Sequence, residues 1–228
     1  MLVLRDPVAD AALREEGFVV VPFLAPDAIP PLVERWRGLS DAREPAWDHT
    51  GFASTADEDD LRFVQEAFLR PVLAAAVDSV FTDHEPFFSA FMAKRPGAGE
   101  LPAHLDWSFS DESVRTTYHC WTALTPTSAD NGALAVLPSS HRHVTFPRSR
   151  EAAHDGWAQD YTDRHRQEVR VVPLEPGQSL IYDIRLVHLS LPNTSSAPRL
   201  GVSCAVAHRE DAPGARSILL GGLGETVG

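Results

Sequence analysis

A histidine and an aspartate stand two residues apart in the segment Leu101-Pro102-Ala103-His104-Leu105-Asp106-Trp107. Side chains alternate in direction along a β-strand, so we expect His104 and Asp106 to point to the same face. An imidazole beside a carboxylate supplies two of the three ligands in the facial triad of non-heme Fe(II) sites. The third ligand would be a histidine from a distant strand, and His188 fits that role best.

This pattern is weak by itself, because about one His-x-Asp match is expected by chance in a chain of this composition. The segment His208-Arg209-Glu210 offers the same chemistry and is the competing ligand pair. A histidine beside a solvated aspartate is the alternative interpretation of His104. The order of the features that follow His104 favours the metal site.

Composition and charge narrow the classes of function. The 228-residue chain has a net charge of −12, which argues against nucleic-acid binding through phosphate contacts. Its apolar runs are shorter than the ~18 residues of a membrane span, and no signal-peptide pattern is present. We therefore expect a cytoplasmic protein without membrane association, acting as a monomer or homodimer. The cysteines, Cys120 and Cys204, predict buried free thiols because two residues make no disulfide framework.

The hydrophobic pattern changes near residue 86 from helical spacing to alternation. Before that point Asp6-Pro7 starts a helix that Gly17 ends, and a short strand follows. Further helices are predicted from Pro26-Asp27 and over Leu61–Phe81. After it, clusters of glycine, proline and asparagine separate short alternating segments. The predicted strands are Phe87–Arg95, Leu101–Trp107, Thr116–Leu124, Ala133–Leu137, Val169–Leu174, Gln178–His188 and Arg199–Ala207.

Helices followed by many short strands predict a mainly β fold with flanking helices, as a sandwich or barrel. We expect a single domain over 1–228. It would comprise a helical N-terminal part (1–85), a β core (86–208) and a flexible tail (209–228).

A turn-rich segment separates His188 from Arg199. If the flanking strands form a hairpin centred between Asn193 and Thr194, His188 and Arg199 are cross-strand partners on one face. The guanidinium fork binds a carboxylate through two hydrogen bonds. A 2-oxo dicarboxylate could then chelate the metal at one end and reach Arg199 with the other, and Ser190 could add a hydroxyl donor. The alternative makes Arg199 a surface strand residue.

Several further segments occur in a characteristic order around the ligand pair: Lys94-Arg95-Pro96-Gly97, Trp121-Thr122-Ala123-Leu124, Asp130-Asn131-Gly132-Ala133-Leu134 and Leu137-Pro138-Ser139-Ser140-His141-Arg142. With them the chain resembles the phytanoyl-CoA dioxygenase family of Fe(II)- and 2-oxoglutarate-dependent oxygenases, over roughly residues 10 to 207. The resemblance implies a double-stranded β-helix, or jelly roll. It implies iron on His104, Asp106 and His188. It also implies 2-oxoglutarate on Arg199, with Ser190 and Trp121 as further contacts.

The resemblance implies an enzyme that uses O₂ and 2-oxoglutarate, releases succinate and CO₂, and oxidises a C–H bond. Hydroxylation is the commonest outcome, and desaturation, cyclisation and epimerisation use the same ligands. One alternative is a halogenase of the same fold, which would need a small residue in place of Asp106. Another is a non-catalytic or zinc-occupied jelly roll that acts as a binding module.

We expect the substrate to be a small soluble metabolite or a natural-product intermediate. An acyl-CoA carries several phosphates, which a chain with a net charge of −12 would repel. The loops on either side of the ligand pair are predicted to form the substrate walls, with Arg115 pairing either with a substrate carboxylate or with Asp111 or Glu112. The predicted wall residues are Trp47, Phe52, Trp107, Phe109 and Arg115.

Overall fold

The structure is a computed structural model that describes residues 2–41, 69–108, 112, 114–146, 148 and 155–212. The α-helices of this part are α1 (Pro7–Glu16), α2 (Ile29–Asp41), α3 (Arg70–Val80) and α4 (Asp155–Arg164). The β-strands are β1 (Phe18–Pro22), β2 (His84–Lys94), β3 (Leu101–His104), β4 (Tyr118–Ala123), β5 (Leu134–Val136), β6 (Arg170–Val172), β7 (Gln178–Asp183), β8 (His188–Ser190) and β9 (Arg199–His208).

The strands form two antiparallel sheets, a five-stranded sheet in the order β1-β7-β4-β9-β2 and a four-stranded sheet in the order β3-β8-β5-β6. Strands that follow one another in the sequence repeatedly change sheet, as in β7, β8 and β9. Side chains from both sheets meet in one buried cluster, for example Trp121 and Leu180 with Leu134 and Val136. The predicted mainly β jelly roll with flanking helices is therefore confirmed.

Each sheet has an outer face covered by helices. Leu13, Leu32 and Leu73 belong to the buried cluster that includes Val202 and Cys204 of β9. The outer face of the four-stranded sheet packs against α4 through a cluster that contains Ala103, Leu105, Ala158 and Tyr161. Because side chains alternate along a strand, the residues between these anchors face the space between the two sheets.

The first helix begins and ends as its sequence predicts. The Asp6 side chain accepts hydrogen bonds from the backbone N–H groups of Val8 and Ala9, and Gly17 ends the helix with a φ of 83°. Strand β1 then pairs with β7 and becomes an edge of the five-stranded sheet. The short strand predicted after Gly17 is therefore confirmed.

The predicted strand Gln178–His188 is wrong, because it is two strands in different sheets. Strand β7 ends at Asp183, whose carboxylate accepts a hydrogen bond of 2.9 Å from the backbone N–H of Arg185. This contact closes a turn, and the chain re-enters a strand at His188 in the other sheet. The apolar residues on both sides of Asp183 continue the strand-like pattern, which hides a turn that a side chain makes with the nearby backbone.

The predicted hairpin between His188 and Arg199 is also wrong. Strand β8 pairs with β3 and β5, whereas β9 pairs with β2 and β4, and the partner of Arg199 is Lys94. The intervening segment carries the chain from one sheet to the other. It is held by Asn193, whose side-chain amide donates to the carbonyls of Lys94 (2.8 Å) and Ala197 (2.9 Å). The position of a turn predicts cross-strand partners only when the two strands that flank the turn pair with each other.

The cysteine prediction is confirmed, since Cys120 and Cys204 are buried, free and opposite each other on β4 and β9. The segment predicted as a flexible tail begins with Arg209, which forms an ion pair of 2.5 Å with Asp78. Residues 213–228 lie outside the described residues, as do 61–68 of the predicted helix over Leu61–Phe81. No helix in the described ranges is long and apolar enough to cross a membrane.

Candidate metal centre

The three predicted metal ligands come together between the sheets. One ligand atom from each of His104, Asp106 and His188 lies within 4.8 Å of the other two. His104 and His188 are cross-strand partners on β3 and β8, and their ring centroids are 4.2 Å apart. Asp106 follows β3 on the same face as His104, because Ala103 and Leu105 belong to the cluster with α4 on the opposite face.

Backbone carbonyls fix the orientation of both imidazoles. The Nδ1–H of His104 donates to the carbonyl of Pro102 at 2.8 Å, and that of His188 donates to the carbonyl of Leu186 at 3.0 Å. Each ring therefore keeps Nε2 as its unprotonated nitrogen, which is the form that binds a metal. Burial, followed by the electrostatic interaction with the neighbouring imidazole of His104, lowers the pKa of His188 to about 4.

The Asp106 carboxylate is ionised and uses its two oxygens differently. Burial alone would raise the pKa of Asp106, but the neighbouring imidazoles of His119 and His188, together with the hydrogen bond from His119, outweigh burial and hold the pKa well below its usual range. Its Oδ1 lies 3.6 Å from Nε2 of His188. Its Oδ2 accepts hydrogen bonds from Nδ1 of His119 (2.5 Å) and from the hydroxyl of Tyr182 (2.8 Å).

The competing pair His208 and Glu210 belongs to a surface cluster of charges. Nε2 of His208 lies 3.4 Å from Asp83, and Arg115 bonds to Glu210 at 3.0 Å and to Asp211 at 2.8 Å. Only the triad of His104, Asp106 and His188 meets the geometric requirement for a metal site within the described ranges.

Two buried cations, Lys94 and Arg199, lie side by side as cross-strand partners on β2 and β9. Nζ of Lys94 donates to the hydroxyl of Ser190 at 2.8 Å and to its carbonyl at 3.2 Å, and Arg199 donates to the carbonyl of Gly132 at 2.8 Å. These partners are neutral oxygens, and Nε of Arg199 is a buried donor without a partner among the described residues. A pair of buried like charges with spare donors is suited to binding an anion.

Burial dominates the electrostatics of this cation pair. Burial, followed by the charge of Arg199, lowers the pKa of Lys94 to about 8. Burial also lowers the pKa of Arg199 to about 10. Trp121 lies beneath the guanidinium, with the carbon centre of Arg199 4.6 Å from the ring centroid. Trp121, which was predicted as a further 2-oxoglutarate contact, thus lies against the guanidinium of Arg199.

The predicted substrate-wall residues differ in their placement. Trp107 directly follows Asp106 and is 58% exposed, which is unusual for a tryptophan. Arg115 pairs with Glu210 and Asp211 in the surface cluster, and Asp111, one of its predicted partners, lies outside the described residues. Phe109 lies outside the described residues. So does the predicted lid segment that contains Trp47 and Phe52.

Sequence reasoning missed three residues of the site: Lys94, His119 and Tyr182. Lys94 stands in a segment that carried the family resemblance, but no role was assigned to it. His119 stands two residues before Trp121, so strand alternation places both on the inner face of β4. That alternation was the available signal for His119. The role of Tyr182 depends on a residue from the other sheet, for which the sequence carries no local signal.

These features define a jelly roll with a two-histidine, one-carboxylate triad, which is the ligand arrangement of non-heme Fe(II) sites. The family model described as phytanoyl-CoA dioxygenase matches residues 13–201. The chain therefore belongs to the phytanoyl-CoA dioxygenase family.

The chain is similar to several known proteins and solved structures, of which three are described. The phytanoyl-CoA dioxygenase domain-containing protein 1 homolog of Dictyostelium discoideum is 28% identical over 107 residues, covering 44% of this chain and 38% of that protein. AviO1 from Streptomyces viridochromogenes Tue57 is 26% identical with a TM-score of 0.61, covering 94% of this chain and 100% of that one. The epimerase SnoN, in complex with Fe³⁺, α-ketoglutarate and nogalamycin RO, has a TM-score of 0.63 at 20% identity, covering 96% and 93%. The chain spans 38% to 40% of the length of the curated relatives that it matches.

Proposed function

We propose that this protein is an Fe(II)- and 2-oxoglutarate-dependent dioxygenase that oxidises a C–H bond of a small soluble metabolite or natural-product intermediate. The observation that carries the proposal is the convergence of His104, Asp106 and His188 on one point between the sheets. Two imidazole nitrogens and one carboxylate oxygen are the donor set of non-heme Fe(II) oxygenases. The fixed, unprotonated Nε2 atoms of both histidines fit such an ion without any change of tautomer.

Lys94, Arg199 and Ser190 would bind the far carboxylate of 2-oxoglutarate. His188 and Ser190 are two residues apart on β8 and share a face, which corresponds to about 6.6 Å along a strand. This span is comparable with the length of the extended five-carbon chain. The 2-oxo acid end would thus be at the metal while the other end is near the cation pair. Trp121 would support this contact by holding the Arg199 guanidinium.

When bound, the iron and 2-oxoglutarate supply the oxidising power of the reaction, consuming O₂ and releasing succinate and CO₂. The protein would orient these groups and exclude side reactions. The Asp106 carboxylate and the Nε2 atoms of His104 and His188 would supply a fixed set of ligand atoms. The closed inner cluster of Trp121, Leu134 and Leu180 keeps water away from one side of the site.

An apolar strip on the inner face of β2 would form one wall of the substrate site. The side chains of Phe88, Ala90 and Met92 are partly exposed there, and the backbone of β2 pairs with β9. The residues opposite them on β9 are small: Ala205, Ser203 and Gly201. With the exposed Trp107, this strip favours a substrate that offers an uncharged face. Trp47, Phe52 and Phe109 stay predicted wall residues, whereas Arg115 is not retained because it pairs with Glu210 and Asp211.

The outcome of the oxidation is proposed as hydroxylation. The triad itself is compatible with desaturation, cyclisation or epimerisation, and SnoN is an example of an epimerase with this fold. Halogenation is disfavoured because Asp106 occupies the position that a halide would need. A chlorinated product from the unmodified protein would contradict this assignment. A zinc-occupied or non-catalytic binding module would not need two buried cations with spare donors.

Succinate release tests the proposal. Anaerobically iron-loaded protein is mixed with 2-oxoglutarate and air in the presence of panels of small metabolites. We expect the wild-type protein to release succinate slowly without substrate and faster with the matching compound. The Asp106→Ala variant should release no iron-dependent succinate under either condition. Absence of iron-dependent succinate above the Asp106→Ala level, with every compound, would contradict an oxygenase.

A further inference from the structure

The oxygen of Asp106 that faces away from His188 has two hydrogen-bond donors. Nδ1 of His119 lies 2.5 Å from Oδ2, and the hydroxyl of Tyr182 lies 2.8 Å from the same atom. An ionised carboxylate only accepts hydrogen bonds, so both partners must donate. Together they occupy the two lone-pair positions of Oδ2. Oδ1 is left facing His188.

These two donors form one rigid unit. His119 and Tyr182 are cross-strand partners on β4 and β7, and their rings stack with centroids 5.4 Å apart and planes at 23°. The other nitrogen of His119 contacts the hydroxyl of Ser203 on β9. His119 thus links Ser203 of β9 to Asp106, with its Nδ1–H donating to the carboxylate.

We propose that His119 and Tyr182 are positioning residues that restrict Asp106 to contact with the metal through Oδ1 alone. This inference rests on the proposed function only in taking the triad as a metal site. A carboxylate that binds through both oxygens would occupy a second position on an octahedral ion. Two positions would then be open where the bidentate 2-oxo acid and O₂ together require three. Occupying Oδ2 from the other sheet prevents this.

The orientation of His119 separates this role from simple packing. An asparagine at position 119 can present its amide near the place of Nδ1, whereas a glutamine places its amide nearer Nε2. His119→Asn should therefore keep the donor to Asp106, and His119→Gln should keep only the contact with Ser203. Both replacements remove the ring, so a purely structural role would affect them alike. Tyr182→Phe removes only the second donor.

The test is titration of the metal-free full chain with Co(II), followed by calorimetry and by visible absorption, which reports coordination number. We expect His119→Gln to weaken Co(II) binding by about 10- to 100-fold, the range found when outer partners of metal ligands are lost. His119→Asn should stay within about 3-fold of the wild type, less than that range. In the presence of 2-oxoglutarate, the double variant His119→Gln/Tyr182→Phe should have an absorption spectrum that differs from the wild-type spectrum.

Thermal unfolding of the metal-free variants serves as the control for folding. If His119→Gln does not fold, Tyr182→Phe alone and Ser203→Ala carry the test, each with a smaller loss of Co(II) affinity. Equal Co(II) affinities and spectra in the wild type and all folded variants would overturn the inference. Stoichiometric Co(II) binding with the expected order of variants, but no iron-dependent succinate, would contradict only the oxygenase proposal.

Discussion

The two sheets of the jelly roll make different contributions to the site between them. The four-stranded sheet and the residues directly after β3 supply the metal ligands: His104, Asp106 and His188. The five-stranded sheet supplies groups that act on these ligands or on an anion: His119, Tyr182, Lys94 and Arg199. The four-stranded sheet therefore presents ligands for a metal, and the five-stranded sheet presents hydrogen-bond donors and positive charge.

This division shows why the site needs both sheets. Lys94 of the five-stranded sheet contacts Ser190 of the four-stranded sheet, and Tyr182 contacts Asp106 across the same space. An anion that bridges the metal and the cation pair would join the sheets at a third place. We therefore expect loss of a ligand on the four-stranded sheet to abolish metal binding. Loss of Lys94 or Arg199 on the five-stranded sheet should weaken co-substrate binding while metal binding persists.

The largest effect is expected from removing a ligand of the four-stranded sheet. His188→Ala should reduce metal affinity by more than the ~100-fold upper range for outer-shell changes, because a direct bond to the ion is lost. The measurement is the Fe(II) or Co(II) content per chain after equilibrium dialysis. The matched control is His208→Ala, which alters the competing histidine in the surface cluster and should retain one metal per chain. Metal loss in His208→Ala but not in His188→Ala would place the metal at His208 and Glu210 instead of the triad.

A smaller effect is expected from Arg199→Ala on the five-stranded sheet. Hydrogen bonds to charged groups contribute about 1.5–3 kcal/mol, which corresponds to a loss of 2-oxoglutarate affinity of about 10- to 100-fold. Arg199→Lys should restore only part of it, because a lysine lacks the planar fork. Metal content should not change in either variant. Unchanged 2-oxoglutarate affinity in Arg199→Ala, measured by calorimetry on metal-loaded protein, would remove Arg199 from the site.

The smallest effect concerns pH and Lys94. Its pKa of about 8 in the free protein means that the ammonium loses its proton as the pH rises through that value. A bound 2-oxoglutarate carboxylate favours the charged ammonium and raises the pKa of Lys94. Binding of 2-oxoglutarate should therefore take up a proton near pH 8 to 9 and should weaken at higher pH. The affinity for 2-oxoglutarate should fall by up to about 10-fold between pH 7 and pH 9.

Calorimetry in two buffers with different ionisation enthalpies measures this proton uptake directly. Lys94→Met should bind 2-oxoglutarate more weakly at pH 7 and show no uptake over this range. The same proton uptake in Lys94→Met would assign the titration to another group.

The sequence predicted the half of the site that depends on local spacing. His104 and Asp106 could be recognised because two residues on one strand share a face whatever the strand pairs with. His188 could be recognised as a later strand histidine, but its predicted neighbour Arg199 could not be placed by the hairpin register. Strands β8 and β9 pair in different sheets, so the true partner of Arg199 is Lys94.

The missed residues depend on contacts between the sheets. Nothing in the segments around His119 and Tyr182 indicates that both side chains meet Asp106, which is 13 and 76 positions away in the chain. The fold class was easier to predict, because alternation and turn residues are repeated along the whole second half of the chain. The change of sheet at Asp183 was missed because the residues after it are as apolar as those of a strand.

The most direct test of a shared site is whether 2-oxoglutarate binding depends on the metal. Calorimetry under anaerobic conditions would compare 2-oxoglutarate binding to the Fe(II)-loaded and the metal-free wild-type protein. We predict one Fe(II) and one 2-oxoglutarate per chain, with binding at least about 10-fold tighter when the metal is present, since chelation adds to the carboxylate contact. Equal affinity with and without metal would show that the triad and the cation pair do not share one ligand, and would contradict the account.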